Sequence, residues 1–194
     1  SLSQQKPVIY VSFDRSPKNL LDKLGGLAES PHLTILDAFT CGKGNSSPIF
    51  TRFYDTSDPE RVCHLKRMEK PGDADYVMET LYGVHETMEG DVRLIFESMT
   101  GMQEIWGGEE AIVKFYSHSC PRLYELGTVA YWVMEKLAHS QQLRARINQI
   151  AQVAIDLSGR SIFMERKGIP LCIDQLFCQP FSGNACRYIC QMKV

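Results

Sequence analysis

An α/β fold on a mostly parallel sheet is the class this sequence predicts, and three observations predict it. Short β-branched and aromatic runs recur along the chain, at Pro7–Phe13, Leu33–Phe39, Val92–Phe96, Thr128–Met134 and Gln152–Leu157. Stretches with apolar residues at helical spacing lie between them. The first two runs are joined through a helical stretch within roughly thirty residues, the span of a βαβ crossover, whose strands run parallel.

The elements follow in order. PVIYVSF is the first strand; Ser16 caps the helix after it and Pro17 takes its first position, with Leu20, Leu21, Leu24 and Leu27 as its apolar stripe. Gly25, Gly26 and Pro31 close that helix, and LTILDAF is the second strand. Thr40–Ser47, TCGKGNSS, is a loop by composition. Its GKG lacks the GxxxxGK[ST] spacing of a phosphate loop, so a flexible polar connection is the expected role. A helical stretch is expected from Asp58-Pro59 to about Met68, and another over Asp73–Met88 with Val77, Leu81, Val84 and Met88 on its core face. Val92–Phe96, apolar apart from Arg93, is the next strand, and it then meets Glu97 and Ser98 and turns at Gly101. A helix from Glu109 to near Cys120-Pro121, the strand TVAYWVM with Glu135 past its end, a helix over Leu143–Ile150 and the strand QVAIDL complete the alternation. From Gly159 the periodicity weakens, although IFME and LCIDQLF have strand character. Residues 1–158 therefore read as the core and 159–194 as a diverged tail.

Bulk composition narrows the function classes. The 194 residues make one domain, and 21 basic against 23 acidic side chains, a net charge of −2, provide no global field for nucleic acid. The basic segment KLAHSQQLRARINQ reads as a solvated helix face. No apolar run approaches a membrane span, and Ser1–Pro7 lacks the charged head and apolar middle of a signal peptide, so the chain reads as cytoplasmic. Seven cysteines without a CxxC pair read as free thiols in a reducing compartment rather than as a zinc site. The five histidines show no HxxxH pairing, and each reads as a lone side chain.

With these pieces in order, the chain resembles the KaiC-like branch of the RecA-type ATPases. The resemblance rests on VIYVSFDRSPKNLL (8–21), LTILDAFTCGKGN (33–45), LIFESMTGMQEIWGGEE (94–110), FYSHSCPRLYELGTVAYWVMEKLAHS and RARINQIAQVAIDLS, and so covers residues 7–158. It implies a RecA-like layered fold, ATP bound with magnesium, and assembly into rings with nucleotide between neighbouring subunits. The family's strand-end acid pair, one member of which polarises the attacking water, is matched by Asp14 and Arg15, making Asp14 the catalytic candidate. The magnesium-side strand, which usually ends Asp-Ser, is matched by Glu97 as metal ligand with Ser98 and Thr100 as nucleotide-binding residues and Gly101 beside them.

Phosphoryl transfer to water needs one carboxylate to orient the nucleophile and another for the octahedral shell of magnesium. Here each acid differs in length by a methylene from the family's choice, and Arg15 puts a cation where a second acid is usual. No GxxxxGK[ST] occurs in the sequence, and the chain starts where the family's phosphate-loop helix would finish. The phosphate-loop strand is expected to be missing, its central sheet position vacant, and the exposed strand edge open to another chain. The chain alone is therefore expected not to hydrolyse ATP at a useful rate. The other class of function considered is a non-catalytic regulatory or assembly module with a protein partner, for which Trp106 and Tyr124 are the candidate aromatic anchors.

Overall fold

The computed structural model describes Leu2 and residues 5–55, 64–158, 161–166 and 186–191, with side chains as far as residue 155. An eight-stranded sheet runs through it in the order β3-β2-β1-β4-β5-β8-β6-β7. The first five positions belong to β3 (His64–Arg67), β2 (Leu33–Asp37), β1 (Val8–Ser12), β4 (Arg93–Glu97) and β5 (Val129–Glu135), all parallel to one another. The remaining three are β8 (Cys186–Gln191), β6 (Val153–Ser158) and β7 (Ser161–Arg166), which pair antiparallel. The protein is thus an α/β fold with a mostly parallel central sheet flanked by helices.

Side-chain alternation along each strand sorts the core onto two faces. Ile9, Val11, Phe13, Leu94, Phe96 and Trp132 project to one face, where α3 (Ala74–His85), α4 (Met99–Trp106), α5 (Glu109–Glu125) and α6 (Gln141–Ile150) supply Val77, Leu81, Met102, Ile112, Tyr116 and Ile147. Trp132 lies flat on Phe96 with ring centroids 3.9 Å apart, and Phe115 and Tyr116 meet its ring edge-on. Each such fully buried side chain stabilises the fold by about 1.5–3 kcal/mol relative to exposure. Val8, Leu33 and Ile35 face the other way onto Leu20 of α1 (Pro17–Leu24), with Tyr10 and Ile95 at the margin.

Several expectations are corrected. His64–Arg67 is a strand, not the end of a helix: it pairs parallel with β2, and its alternate exposed residues suit an edge position. The rest of that expected helix, as far as residue 63, lies outside the described residues. Two helices went unread, α2 (Pro48–Asp55) and α4. Helix α5 runs through Pro121 to Glu125, because Cys120 and Leu123 continue its buried stripe and outweigh the hydrogen bond that proline cannot donate. Beyond β5 the sheet continues with β8 running antiparallel, Trp132 opposite Ile189. IFME falls within β7, whereas LCIDQLF lies outside the described residues. Among the described residues no helix is long and apolar enough to cross a membrane.

Candidate functional site at the strand ends

Strand order reverses between β1 and β4: the chain proceeds outward from β1 through β2 to β3, then returns to the other side of β1 with β4 and continues to β5. In open α/β sheets the crevice at such a switch point, beyond the carboxyl ends of the strands, is where ligands bind. Register aligns the ends that form it, with Ser12 of β1 opposite both Asp37 of β2 and Glu97 of β4. Asp14, Arg15, Ser98 and the loop after β2 follow directly.

Glu97 and Ser98 part company at the sheet. Glu97 belongs to the same face as Ile95 and Tyr10; its Oε1 accepts from Arg15 Nε at 2.6 Å and its Oε2 from the Tyr10 hydroxyl at 2.6 Å. Burial works against the Arg15 charge, but the hydrogen bond and charge of Glu97 outweigh it and raise the guanidinium above its ordinary pKa. Ser98, joined to Glu97 by a cis peptide bond, caps α4, its Oγ accepting from the Gly101 N–H at 3.2 Å. The same hydroxyl donates to Asp14 Oδ2, so Asp14 sits over the N-terminal turn of α4. Gly101 is required there: a Cβ would lie 2.6 Å from Asp14 Oδ1 and 2.8 Å from its Cγ.

Lys43 completes the arrangement. Its Nζ donates to Asp14 Oδ1 at 2.7 Å and pairs with Glu104 Oε2 of α4 at 2.6 Å. Burial lowers the Lys43 pKa, but its hydrogen bonds to Asp14 and Glu104 prevail, leaving it raised and the ammonium charged. In the neighbouring strand end, Asp37 is buried and fully employed: Oδ1 accepts from the Phe39 and Thr40 amides and Oδ2 from the Tyr54 hydroxyl at 2.5 Å. Burial first, then the Asp37 charge and hydrogen bond, push the Tyr54 phenol far above its usual range.

Thr100 faces a different group. Its Oγ1 lies 3.0 Å from Nε2 of His139, whose side chain is wholly buried in the connection between β5 and α6. Nδ1 of the same ring has no hydrogen-bond partner and lies 4.0 Å from Glu109 Oε1. Burial lowers the His139 pKa, with Glu109 opposing, so the ring is held toward its neutral form. Glu109 in turn accepts from the amide and hydroxyl of Ser140, at 2.7 and 2.5 Å, which ties the start of α5 to the start of α6.

The sequence-derived candidates thus separate. Asp14 and Ser98 are in direct contact, Glu97 is turned to Arg15 and Tyr10, and Thr100 is turned to His139. Sequence reading missed Lys43, Glu104, Tyr10 and His139 as members of this cluster; the one available signal was the lysine within the Gly-rich loop. Trp106 is partly buried: its ring packs on Phe13 and Phe115, and Nε1 donates to the Pro71 carbonyl at 2.8 Å. Tyr124 is 46 % exposed.

Magnesium asks for free oxygen ligands in an octahedron. Both oxygens of Glu97 are engaged by protein donors, and among the described residues no group of three His, Cys, Asp or Glu side chains is placed to hold a metal ion. The site as arranged does not fit a resident magnesium ion. Fold and site together define an α/β protein with a charged, internally paired crevice at its topological switch point. No protein-family model, curated protein or solved structure matches the chain.

Proposed function

We propose that the chain is a RecA-type domain of the KaiC-like branch, an ATP-handling module whose two acidic strand ends are held in internal ion pairs. The observation that carries this reading is the placement of Asp14, Glu97 and Ser98 at the switch point between β1 and β4. ATP is the ligand class, and magnesium enters with the nucleotide as part of the substrate. Asp14 is the group that would orient water, and Ser98 with the amide end of α4 offers donors to an anion. With Asp14 bound to Lys43 and Ser98, and Glu97 to Arg15 and Tyr10, neither carboxylate is free to do its work, and turnover stays at the uncatalysed level. Assembly into a homo-oligomer and a cytoplasmic setting belong to the same proposal and rest on the sequence resemblance and composition.

A second reading is favoured by those same pairs: a non-catalytic regulatory or assembly module that keeps the architecture without the chemistry. Calorimetric titration with ATP, with and without magnesium, separates the two. Magnesium-dependent binding with no turnover supports the first; no heat at millimolar nucleotide, with the fold intact by circular dichroism, leaves only the second.

A further inference from the structure

We propose that the loop Thr40–Ser47 is an autoinhibitory strap, latched by Lys43, that masks the Asp14 carboxylate at the strand ends. This deepens the nucleotide reading and rests on it. The loop is built rather than slack. Its amides close it on itself, Gly42 N–H donating to the Ala38 carbonyl at 3.2 Å, Gly44 to Phe39 at 2.7 Å and Ser46 to Thr40 at 2.9 Å. Asn45 and Ser46 hold left-handed conformations, φ 47° and 52°, which the closed loop imposes on them. Gly42 is pressed against α4 so closely that a Cβ would stand 2.5 Å from the Ala38 carbonyl oxygen and 2.6 Å from Ile105 Cδ1. Phe39 and Phe50 meet edge to face at 5.0 Å beneath the loop. The result is a fixed mount that presents one cation, Lys43, to Asp14 after β1 and Glu104 on α4.

What the latch does follows from the lone pairs of Asp14. One oxygen receives Lys43 and the other Ser98, so both are turned to protein donors instead of to a water molecule. The latch is also weak enough to open. Glu104 is 55 % exposed and Lys43 27 %, and ion pairs so close to water contribute little to stability. A modest binding energy at the strand ends, as when a cation carried by a polyphosphate competes for the same carboxylate oxygens, suffices to detach the Lys43 side chain from Asp14 while the loop keeps its form.

The test uses the whole chain with Lys43→Met and, as a milder release, Glu104→Gln, their folding confirmed by melting temperature. Carboxylates are labelled with a water-soluble carbodiimide and an amine and read by mass spectrometry, the exposed Asp75 serving as reference. Magnesium-ATP affinity is measured on the same samples. Labelling of Asp14 is expected to rise about tenfold in K43M, the ratio that about 1.4 kcal/mol represents, and less in E104Q. ATP affinity is expected to rise in the same order. Unchanged Asp14 labelling in both variants overturns the strap, whatever ATP does. Raised labelling with equal ATP affinity in wild type and variants overturns its autoinhibitory role. Raised labelling with no ATP binding by any form leaves the mask on Asp14 standing and removes the nucleotide reading.

Discussion

At the scale of single residues, the strand-end cluster is defined by who holds each carboxylate. Gly101→Ala places a methyl against Asp14 where no space exists, and a loss of about 1–3 kcal/mol is expected from denaturant melts, with Lys43 displaced in the refolded protein. Arg15→Ala leaves Glu97 with Tyr10 alone; because Arg15 is about one-third exposed, solvent screening holds the expected loss to about 1 kcal/mol. Cys120 offers a sharper readout. Burial pushes its thiol up to about 12, so an alkylating reagent at about pH 8 should leave it unmodified until the protein is denatured, while the partly exposed Cys41 is accessible. Alkylation of Cys120 under native conditions at the rate of a free thiol would mean that α5 is not packed as described. Glu97 and Ser98 stood out in the sequence because they close an apolar run, and Asp14 entered through the family resemblance. Lys43 and His139 did not stand out, because their partners lie 29 and 39 positions away and only folding brings them together.

At the scale of elements, the legible ones were those whose environment is uniform. Strands β1, β2, β4 and β5 are largely apolar with charged residues only at their ends and announce themselves, whereas β3 alternates exposed His64 and Lys66 with its inner residues and reads as polar. Helix α4 was hidden because no linker separates it from β4; Ser98 is both the residue after the strand and the helix cap. Trp106 at the end of α4, a candidate anchor in the sequence, is partly buried and packs against the core beside Phe13 and Phe115. Trp106→Ala is therefore expected to destabilise the fold in chemical denaturation by less than the about 3–5 kcal/mol that truncating a fully buried tryptophan costs. A stable, folded W106A with unchanged midpoint would contradict that packing.

At the scale of the whole molecule, stability should follow two histidines, the buried His139 and the half-buried His85. His139 and His85 are both held below the ordinary value of 6.5, burial being the main cause in each. Both rings are neutral in folded and unfolded chains above that value, so they add no pH dependence there. As pH falls through about 6.5 the unfolded chain takes up protons first, and stability declines until the folded rings also titrate. Denaturation midpoints should therefore drop between about pH 7 and 5, and His139→Asn should flatten part of that slope. The sheet itself joins a parallel half carrying the crevice to an antiparallel pairing of β5 with β8, which places the charged cluster at the switch point of one continuous sheet. On the proposed reading, a RecA-like layered fold carries a crevice whose carboxylates are paired within the protein. The most direct measurement is steady-state ATP turnover by the whole chain with magnesium, alongside Asp14→Asn. Both proteins are expected to show only the background rate, and turnover of about one per second or faster that D14N abolishes would contradict the account.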